Sequence, residues 1–349
     1  MDPELIADRY RVVRPIGRGG MGTVWLCEDG VLNRRVAVKR IGGLPGDDID
    51  QAARAMREAR VTAALNHDHA VSVFDVVDDG GATWLVMEYV PSRTLAELIK
   101  TEGPLTPRRA ATIGGQVADA LATAHGLAIL HRDVKPGNIL VSEGDRAKIS
   151  DFGIARGHTD LTLTQTGMMI GTPTYFAPEL ARGEHPSFAS DVWALGATLY
   201  SAVEGKPPFP AQETPLATLG LIARESAPRA ERAGPLADVI AAMLAPEPTQ
   251  RWSMERVRNA LDEVAQSDTM PVESPVRVEA TAPDPTPTAS ASPPPPRPAP
   301  TASPDVARDP RTGTSGRASR AVRWGIVAAV ALIVLGAAGL ATWAALSNG

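Results

Sequence analysis

The chain has 349 residues, 44% of them hydrophobic, which is enough for two domains or for one large domain with appendages. Its formal net charge of −5 gives no case for nucleic-acid binding. The single cysteine, Cys27, excludes an intramolecular disulfide and fits a reducing compartment. Six scattered histidines come without a cysteine or carboxylate cluster, so the sequence predicts no histidine metal site.

The first motif is glycine-rich and has the pattern G-x-G-x-x-G-x-V at Gly17, Gly19, Gly22 and Val24. Glycine lacks a Cβ atom, so backbone amides in such a loop can approach phosphate oxygens closely. Alone, the pattern also fits a surface turn, or a dinucleotide-binding turn that opens a helix. Here β-rich runs at residues 23–27 and 36–39 follow, which favours a strand–loop–strand flap over a nucleotide.

Lys39 ends the second of these runs. A lysine there can contact the α- and β-phosphates of a nucleotide; the alternative is an exposed lysine at the end of a strand. Apolar residues then recur at helical spacing from Asp48, which fits an N-cap, to Leu65, and this predicts a helix. Residues 84–87 predict a buried strand, and residues 88–90 a connector.

The central motif is the segment HRDVKPGN at residues 131–138, followed thirteen residues after Asn138 by DFG at residues 151–153. It places two acids, one lysine and one asparagine at the spacing needed to take a proton from a hydroxyl and to hold magnesium beside ATP. Each residue alone would be an ordinary surface polar group. Their joint order points to catalysis.

Taken together, residues 8–262 resemble the eukaryotic-like (Hanks-type) serine/threonine protein kinases of actinomycete-type bacteria, many of which are anchored in the membrane. The resemblance implies an α+β fold with two lobes over residues 8–265. The N-lobe, residues 8–89, should be an antiparallel sheet with one key helix. The C-lobe, residues 90–265, should be mainly helical, with ATP bound between the lobes.

The resemblance implies that ATP binds against twelve positions: Ile16, Gly17, Gly19, Gly22, Val24, Ala37, Lys39, Glu58, Met87, Glu88, Val90 and Leu140. Glu58 would pair with Lys39; the alternative is an exposed acid on a helix face, paired with Arg54 or Arg57. Met87 would be the gatekeeper behind the adenine, and a core methionine is the compatible alternative.

The same resemblance assigns the catalytic roles. Asp133 would be the base that accepts or orients the substrate hydroxyl, and Lys135, with Lys39, would stabilise phosphoryl charge. Asn138 and Asp151 would hold Mg²⁺, or Mn²⁺, together with the triphosphate. His131 would be structural and would pack beneath Phe152.

The activation segment should run from Asp151 to Glu179. Arg132 would bind a phosphorylated residue of this segment, and Thr164 and Thr166 are the candidates for autophosphorylation. Thr172 would contact Asp133 and Lys135. The remaining roles are structural: Glu179 would pair with Arg251, and Asp191 would support the backbone of the catalytic loop. Ala128 departs from the family, in which glycine is usual.

The tail changes composition sharply, and residues 271–310 contain 13 of the 31 prolines. We expect residues 266–322 to form a disordered tether, because such a segment cannot bury enough apolar surface to offset chain entropy. Spacer use is the default for this composition, and a ligand for a proline-binding module is the alternative.

Residues 324–346 are 23 residues without a charge, and such a helix would span roughly 34 Å. A single-pass membrane helix over residues 323–346 is therefore expected; the alternative is a buried core helix. Three arginines precede the span, so the kinase domain should be cytoplasmic and residues 347–349 outside. Because only these three residues follow, extracellular sensing by the chain itself is not expected.

These observations favour ATP- and Mg²⁺-dependent phosphorylation of serine or threonine hydroxyls in proteins, with autophosphorylation. A membrane-anchored pseudokinase scaffold is the rival, although it would normally have lost Lys39, Asp133 or Asp151. Small-molecule phosphotransfer is weaker, because residues 171–179 resemble a platform for a protein substrate. The resemblance also implies a homodimer through the N-lobes, and the sequence leaves open whether activation requires it.

Overall fold

The computed structural model describes residues 3–19, 22–42, 63–152 and 173–267, all of which lie within Met1–Ser274. The helix expected over residues 48–65, apart from its last three residues, lies outside this part, as do the linker and the expected membrane span. Within the described residues, no helix has the length and hydropathy needed to cross a bilayer.

A six-stranded antiparallel sheet forms the N-lobe, in the order β1-β2-β3-β4-β6-β5. Its strands are β1 (Leu5–Ile6), β2 (Tyr10–Gly19), β3 (Gly22–Asp29), β4 (Arg34–Gly42), β5 (Val73–Asp79) and β6 (Ala82–Glu88). The strands expected at residues 23–27, 36–39 and 84–87 are thereby confirmed. Each is rich in β-branched and aromatic residues, which pack well on a pleated surface.

The two faces of this sheet bury different apolar clusters. Trp25 and Trp84 meet edge to face in one of them, with ring centroids 5.5 Å apart. Ala37 and Met87 belong to the other. Because side chains alternate along a strand, Lys39 lies on the same face as Ala37. The second face therefore carries both apolar side chains and the lysine of the candidate site.

The short strand β1 lies before residue 8, where the sequence was expected to enter the domain. Ile6 pairs with Tyr10, and both side chains are almost completely buried in the sheet's core. A strand of two residues is too short to show alternation, which explains why the pattern of the sequence did not predict it.

The C-lobe is mainly helical, as expected. Its helices are α1 (Leu95–Glu102), α2 (Pro107–Gly126), α3 (Pro178–Ala181), α4 (Phe188–Glu204), α5 (Pro215–Arg224), α6 (Ala237–Met243) and α7 (Met254–Gln266). Helix α4 is central: it begins with a capping box between Ser187 and Ser190 and ends at Gly205, whose φ of 78° favours glycine. It buries most of its length, including Trp193.

A small sheet joins the lobes beside the connector. It contains β7 (Arg93–Thr94), β8 (Ile139–Val141) and β9 (Ala147–Ile149). Ile149 exchanges backbone hydrogen bonds with the segment before β5, from its N–H to His69 O and from Val71 N–H to its own carbonyl, both 2.9 Å. This contact fixes β9, and hence Asp151 two residues later, against the N-lobe.

Candidate active site

An apolar cluster lies between the lobes, and we call its partly exposed surface the slot. Six of the predicted ATP-binding residues meet there in one cluster: Ile16, Val24, Ala37, Met87, Val90 and Leu140. Ala37 and Met87 are buried, whereas the other four side chains remain partly exposed and therefore accessible. Strands of the N-lobe, the connector and β8 of the C-lobe all contribute. A flat apolar ring such as adenine fits a slot with this lining.

The connector offers a polar group at the edge of the slot. The N–H of Val90 makes no hydrogen bond with any described residue, and its carbonyl accepts one from Ser92 Oγ at 2.9 Å. The N–H of Glu88 is engaged by Ser72 O at 2.9 Å. Val90 can thus donate to a ring nitrogen of a bound base, and the slot fits a nucleotide on this observation.

The glycine-rich segment is a hairpin. Strands β2 and β3 pair through Gly17 with Val24 and through Gly19 with Gly22. Gly22 has a φ of 111°, a conformation that residues with a side chain rarely adopt. The segment does not open a helix, so the alternative of a dinucleotide-binding turn is wrong. A hairpin of this kind can cover the phosphates of a nucleotide held in the slot.

Lys39 lies in β4, with only 7% of its surface exposed, so the alternative of an exposed strand-end lysine is wrong. Its Nζ atom is 2.5 Å from Asp151 Oδ1. The expected partner, Glu58, lies outside the described residues. The sequence did not predict the contact with Asp151. This ion pair brings the lysine and one proposed metal ligand to the same point of the cleft.

The catalytic loop gathers three of the predicted side chains. Asp133 Oδ2 accepts hydrogen bonds from Lys135 Nζ at 2.7 Å and from Asn138 Nδ2 at 3.0 Å. Asn138 Nδ2 also donates to the backbone carbonyl of Asp133 at 2.8 Å. These contacts fix the direction of the Asp133 carboxylate. Its oxygens are therefore oriented before any substrate hydroxyl arrives.

The same contacts decide whether Asn138 can bind a metal. Its amide nitrogen is engaged, whereas its Oδ1 accepts no hydrogen bond from the described residues. That oxygen and the Asp151 carboxylate are hard ligands of the kind that Mg²⁺ prefers. No group of three or more His, Cys, Asp or Glu side chains is placed for a metal among the described residues. A cation held here would need phosphate oxygens to complete its coordination.

Asp191 lies under the catalytic loop, as the sequence predicted. Its two carboxylate oxygens accept the N–H groups of His131 and Arg132, each at 2.9 Å. Arg132 has a φ of 65°, which is unfavourable for a residue with a side chain. The buried carboxylate therefore stabilises a strained loop. His125, which the sequence did not single out, also contacts Asp191, with Nε2 at 3.0 Å from Oδ2.

His131 has a structural position, which agrees with its predicted role. Its ring lies 4.5 Å from that of Phe152, and its Nε2 is 3.0 Å from Ser150 O. Complete burial lowers the pKa of His131, so the ring stays neutral. Its Nδ1 then accepts the N–H of Asp133 at 3.2 Å, while Nε2–H donates to Ser150 O.

Glu179 and Arg251 form the predicted ion pair at the end of the activation segment. Two parallel hydrogen bonds of 2.8 Å join them, and their side chains are 3% and 0% exposed. Burial acts to raise the pKa of Glu179, but hydrogen bonds from Arg251 and Ser190 outweigh it, and the pKa lies below its usual value. Ser190, which donates to Glu179 Oε1 at 2.7 Å, was not predicted.

Three predicted residues of the activation segment, Thr164, Thr166 and Thr172, lie outside the described residues. His125 and Ser190 were missed because each acts on a partner distant in sequence, and the local spacing around them carries no signal of that contact. Glu58 also lies outside the described residues. Of the predicted catalytic and metal-binding residues, all of which the structure describes, Lys39 contacts Asp151, and Lys135 and Asn138 contact Asp133.

Comparison with known proteins agrees with this geometry. Residues 10–261 match the model of the protein kinase domain. The chain is 43% identical over 213 residues to serine/threonine-protein kinase PknB of Mycolicibacterium smegmatis, with 59% of this chain and 34% of that protein covered. It is 40% identical over 204 residues to serine/threonine-protein kinase PrkC of Bacillus subtilis, with 58% and 32% covered. The chain thus spans about a third of the length of these relatives.

Among solved structures, the kinase domain of Mycobacterium tuberculosis PknI, crystallised as a double mutant, superimposes with a TM-score of 0.61 at 28% identity. The match covers 75% of this chain and 97% of that one. The similarity therefore extends over both lobes and confirms the two-lobed arrangement.

Proposed function

Because the chain belongs to the protein kinase domain family, we propose that it is a serine/threonine protein kinase that transfers the γ-phosphoryl group of ATP to hydroxyls of proteins. The observation that carries the proposal is the convergence of Lys39, Asp133, Lys135, Asn138 and Asp151 in one cleft. Two of them, Lys39 and Asp151, are 112 residues apart in the chain and in direct contact. The named relatives are serine/threonine-protein kinases, which supports the choice of acceptor.

The proposed role of each residue follows from its position in the cleft. The apolar slot binds the adenine, and the hairpin of β2 and β3 covers the phosphates. Lys39 binds phosphate oxygens from the N-lobe side of the cleft. Lys135 neutralises charge on the transferred group from the C-lobe side. Asp133, held by Lys135 and Asn138, accepts or orients the proton of the attacking hydroxyl. Catalysis rests on positioning and charge stabilisation, without a covalent intermediate.

Asn138 and Asp151 are the proposed ligands of a divalent cation, Mg²⁺ or Mn²⁺. When bound, the cation neutralises the negative charge of the phosphate oxygens. The ion pair between Lys39 and Asp151 keeps both side chains at the position where the phosphates would lie. The hydrogen bond from Asn138 Nδ2 to Asp133 fixes the orientation of the amide group and leaves its Oδ1 atom available for the cation.

Regulation is proposed through the activation segment. Phosphorylation of Thr164 or Thr166 would add about two negative charges and would pair with Arg132. Asp191 accepts a hydrogen bond from the backbone N–H of Arg132 and so fixes the position from which the Arg132 side chain extends. Anchoring is proposed through residues 323–346, with residues 266–322 as tether and the kinase domain in the cytoplasm. A homodimer through the N-lobes stays a prediction.

The proposal is tested with radiolabelled ATP, the full chain prepared free of phosphatase, and a protein substrate rich in serine and threonine. Asp133→Asn should abolish transfer, and Asp68→Asn is the control because this exposed acid has no partner among the described residues. Mass spectrometry of the wild type should find phosphate on Thr164 or Thr166. Absence of transfer by the wild type with Mg²⁺ and with Mn²⁺ would favour the pseudokinase scaffold.

A further inference from the structure

An ion pair that the proposed chemistry does not use lies behind the connector. Lys148 Nζ, on β9, is 2.9 Å from Glu88 Oε2, on the last residue of β6. The same carboxylate oxygen accepts the N–H of Ser72 at 3.3 Å, and the ammonium donates to Ala70 O at 3.2 Å. Three segments of the chain, β6, β9 and residues 70–72, are thus joined by two side chains.

The pair lies outside the apolar slot. It lines a separate groove of about 500 Å³, together with His69, Tyr89 and Arg146. Among the residues of this groove, only Val90 also belongs to the cluster that forms the slot. Lys148 therefore contacts the connector from the side opposite to the adenine. It has no place among the groups that would touch ATP.

Each partner is nevertheless attached to the site. Glu88 is held through its backbone as well, because its N–H donates to Ser72 O at 2.9 Å. Its peptide unit is part of the connector that leads to Val90. Lys148 is followed three residues later by Asp151, which contacts Lys39 at 2.5 Å. The pair thus links the adenine end of the cleft to its phosphate end.

We propose that Lys148 is a positioning residue for nucleotide binding, which acts by holding Glu88 and thereby the orientation of the connector peptide. The inference rests on the proposed function, since it takes the slot to be the ATP site. Without Lys148, the Glu88 carboxylate keeps only the long bond from Ser72 N–H. The connector then populates orientations that do not bind ATP. The apparent affinity falls in proportion to the fraction of molecules whose connector still has the binding orientation.

An ordinary surface ion pair would have no such effect, because exposed pairs contribute little. This pair differs in its surroundings. The side chains of Lys148 and Glu88 are 21% and 28% exposed, and each has a second, backbone partner that fixes its position. The groups are thus preorganised, and a change at one of them is transmitted to the other.

The test compares Lys148→Met with Arg146→Met in the full chain. Arg146 lines the same groove two residues earlier, and its side chain makes no ion pair with the described residues. Lys148→Met should raise the KM for ATP and the Kd of a nonhydrolysable analogue by about fivefold, with kcat and the protein-substrate KM within about twofold. Arg146→Met should change none of these, and Lys148→Arg should restore most of the affinity.

Glu88→Gln and the double variant Glu88→Gln/Lys148→Met complete a cycle, in which the double variant should lose no more affinity than Lys148→Met alone. Equal Kd values for Lys148→Met and Arg146→Met, even with a lower unfolding temperature for the first, would overturn the proposal, since only a structural role would remain. Calorimetric binding separates this outcome from failure of the proposed function, in which the wild type binds the analogue but transfers no phosphate.

Discussion

Lys39 Nζ lies 2.5 Å from Asp151 Oδ1, across a cleft whose two sides come from different lobes. The lysine is carried by β4 and the acid by the segment after β9, which is itself hydrogen-bonded to the N-lobe. This ion pair forms only when the two lobes have the correct relative position. It is therefore the contact that most directly reports an assembled site.

Replacing this lysine should remove activity without unfolding the chain. Lys39→Met eliminates the buried cation that would bind phosphate oxygens, and phosphotransfer should fall by about 100-fold or more. Arg35→Met, an exposed change on the same strand, should retain nearly full activity. Rates measured with radiolabelled ATP check the prediction. Similar losses in both variants would mean that the strand, and not the Lys39 cation, is responsible.

The buried pair of Glu179 and Arg251 should be important for stability. Arg251→Met leaves a carboxylate buried without its cation and should cost about 3–5 kcal/mol of the free energy of unfolding. Arg229→Met breaks the exposed pair with Asp238, which is 2.9 Å long and thus of similar length, and should cost less than about 0.5 kcal/mol. Urea unfolding of residues 1–274 measures both. Equal costs would contradict the assignment of burial as the deciding factor.

Stability should also fall in acid through Asp29. Hydrogen bonds from Arg9, and more weakly from the N–H groups of Leu32 and Val31, lower the pKa of its buried carboxyl from 3.8 to about 2, against the opposing effect of burial. The unfolded chain therefore binds the proton first as pH falls. The contribution of the ionised Asp29 to the free energy of unfolding is complete above about pH 4 and is lost towards pH 2.

Its size should be on the order of 1–2 kcal/mol, because Arg9 is partly exposed and solvent screens the pair. The measurement is the unfolding free energy of the wild type and of Asp29→Asn between pH 5 and 2. The difference between them should shrink as the pH falls. A constant difference across this window would show that Asp29 does not titrate with a lowered pKa.

Ala128 occupies a backbone conformation that suits glycine. Its φ is 60°, which costs an alanine about 1 kcal/mol or more. Ala128→Gly should therefore raise the free energy of unfolding by about 0.5 kcal/mol, after the larger entropy of glycine in the unfolded chain is subtracted. Ala122→Gly, inside α2, should instead lower it by about 1 kcal/mol. A lower free energy of unfolding in both variants would contradict the inference that the backbone at Ala128 is strained.

The sequence predicted that Lys39, Asp133 and Asp151 belong to one cleft because each motif combines residue types with a fixed spacing. The order of the glycine hairpin, Lys39, Asp133 and Asp151 was sufficient to indicate one cleft. Spacing does not give distances between segments, so the contacts of Asp151 with Lys39 and of Asp191 with His125 could not be read from it. The usual glycine at position 128 was noticed, but only the backbone angle explains it.

The central claim is that a nucleotide lies in the apolar slot with its phosphates between Lys39 and the Asp133 loop. A crystal structure of residues 1–274 with a nonhydrolysable ATP analogue and Mg²⁺ tests it most directly. We predict adenine between Ala37 and Leu140 with a hydrogen bond from Val90 N–H, and the cation bound by Asn138 and Asp151. An analogue bound elsewhere, with the slot closed and these side chains apart from it, would contradict the account.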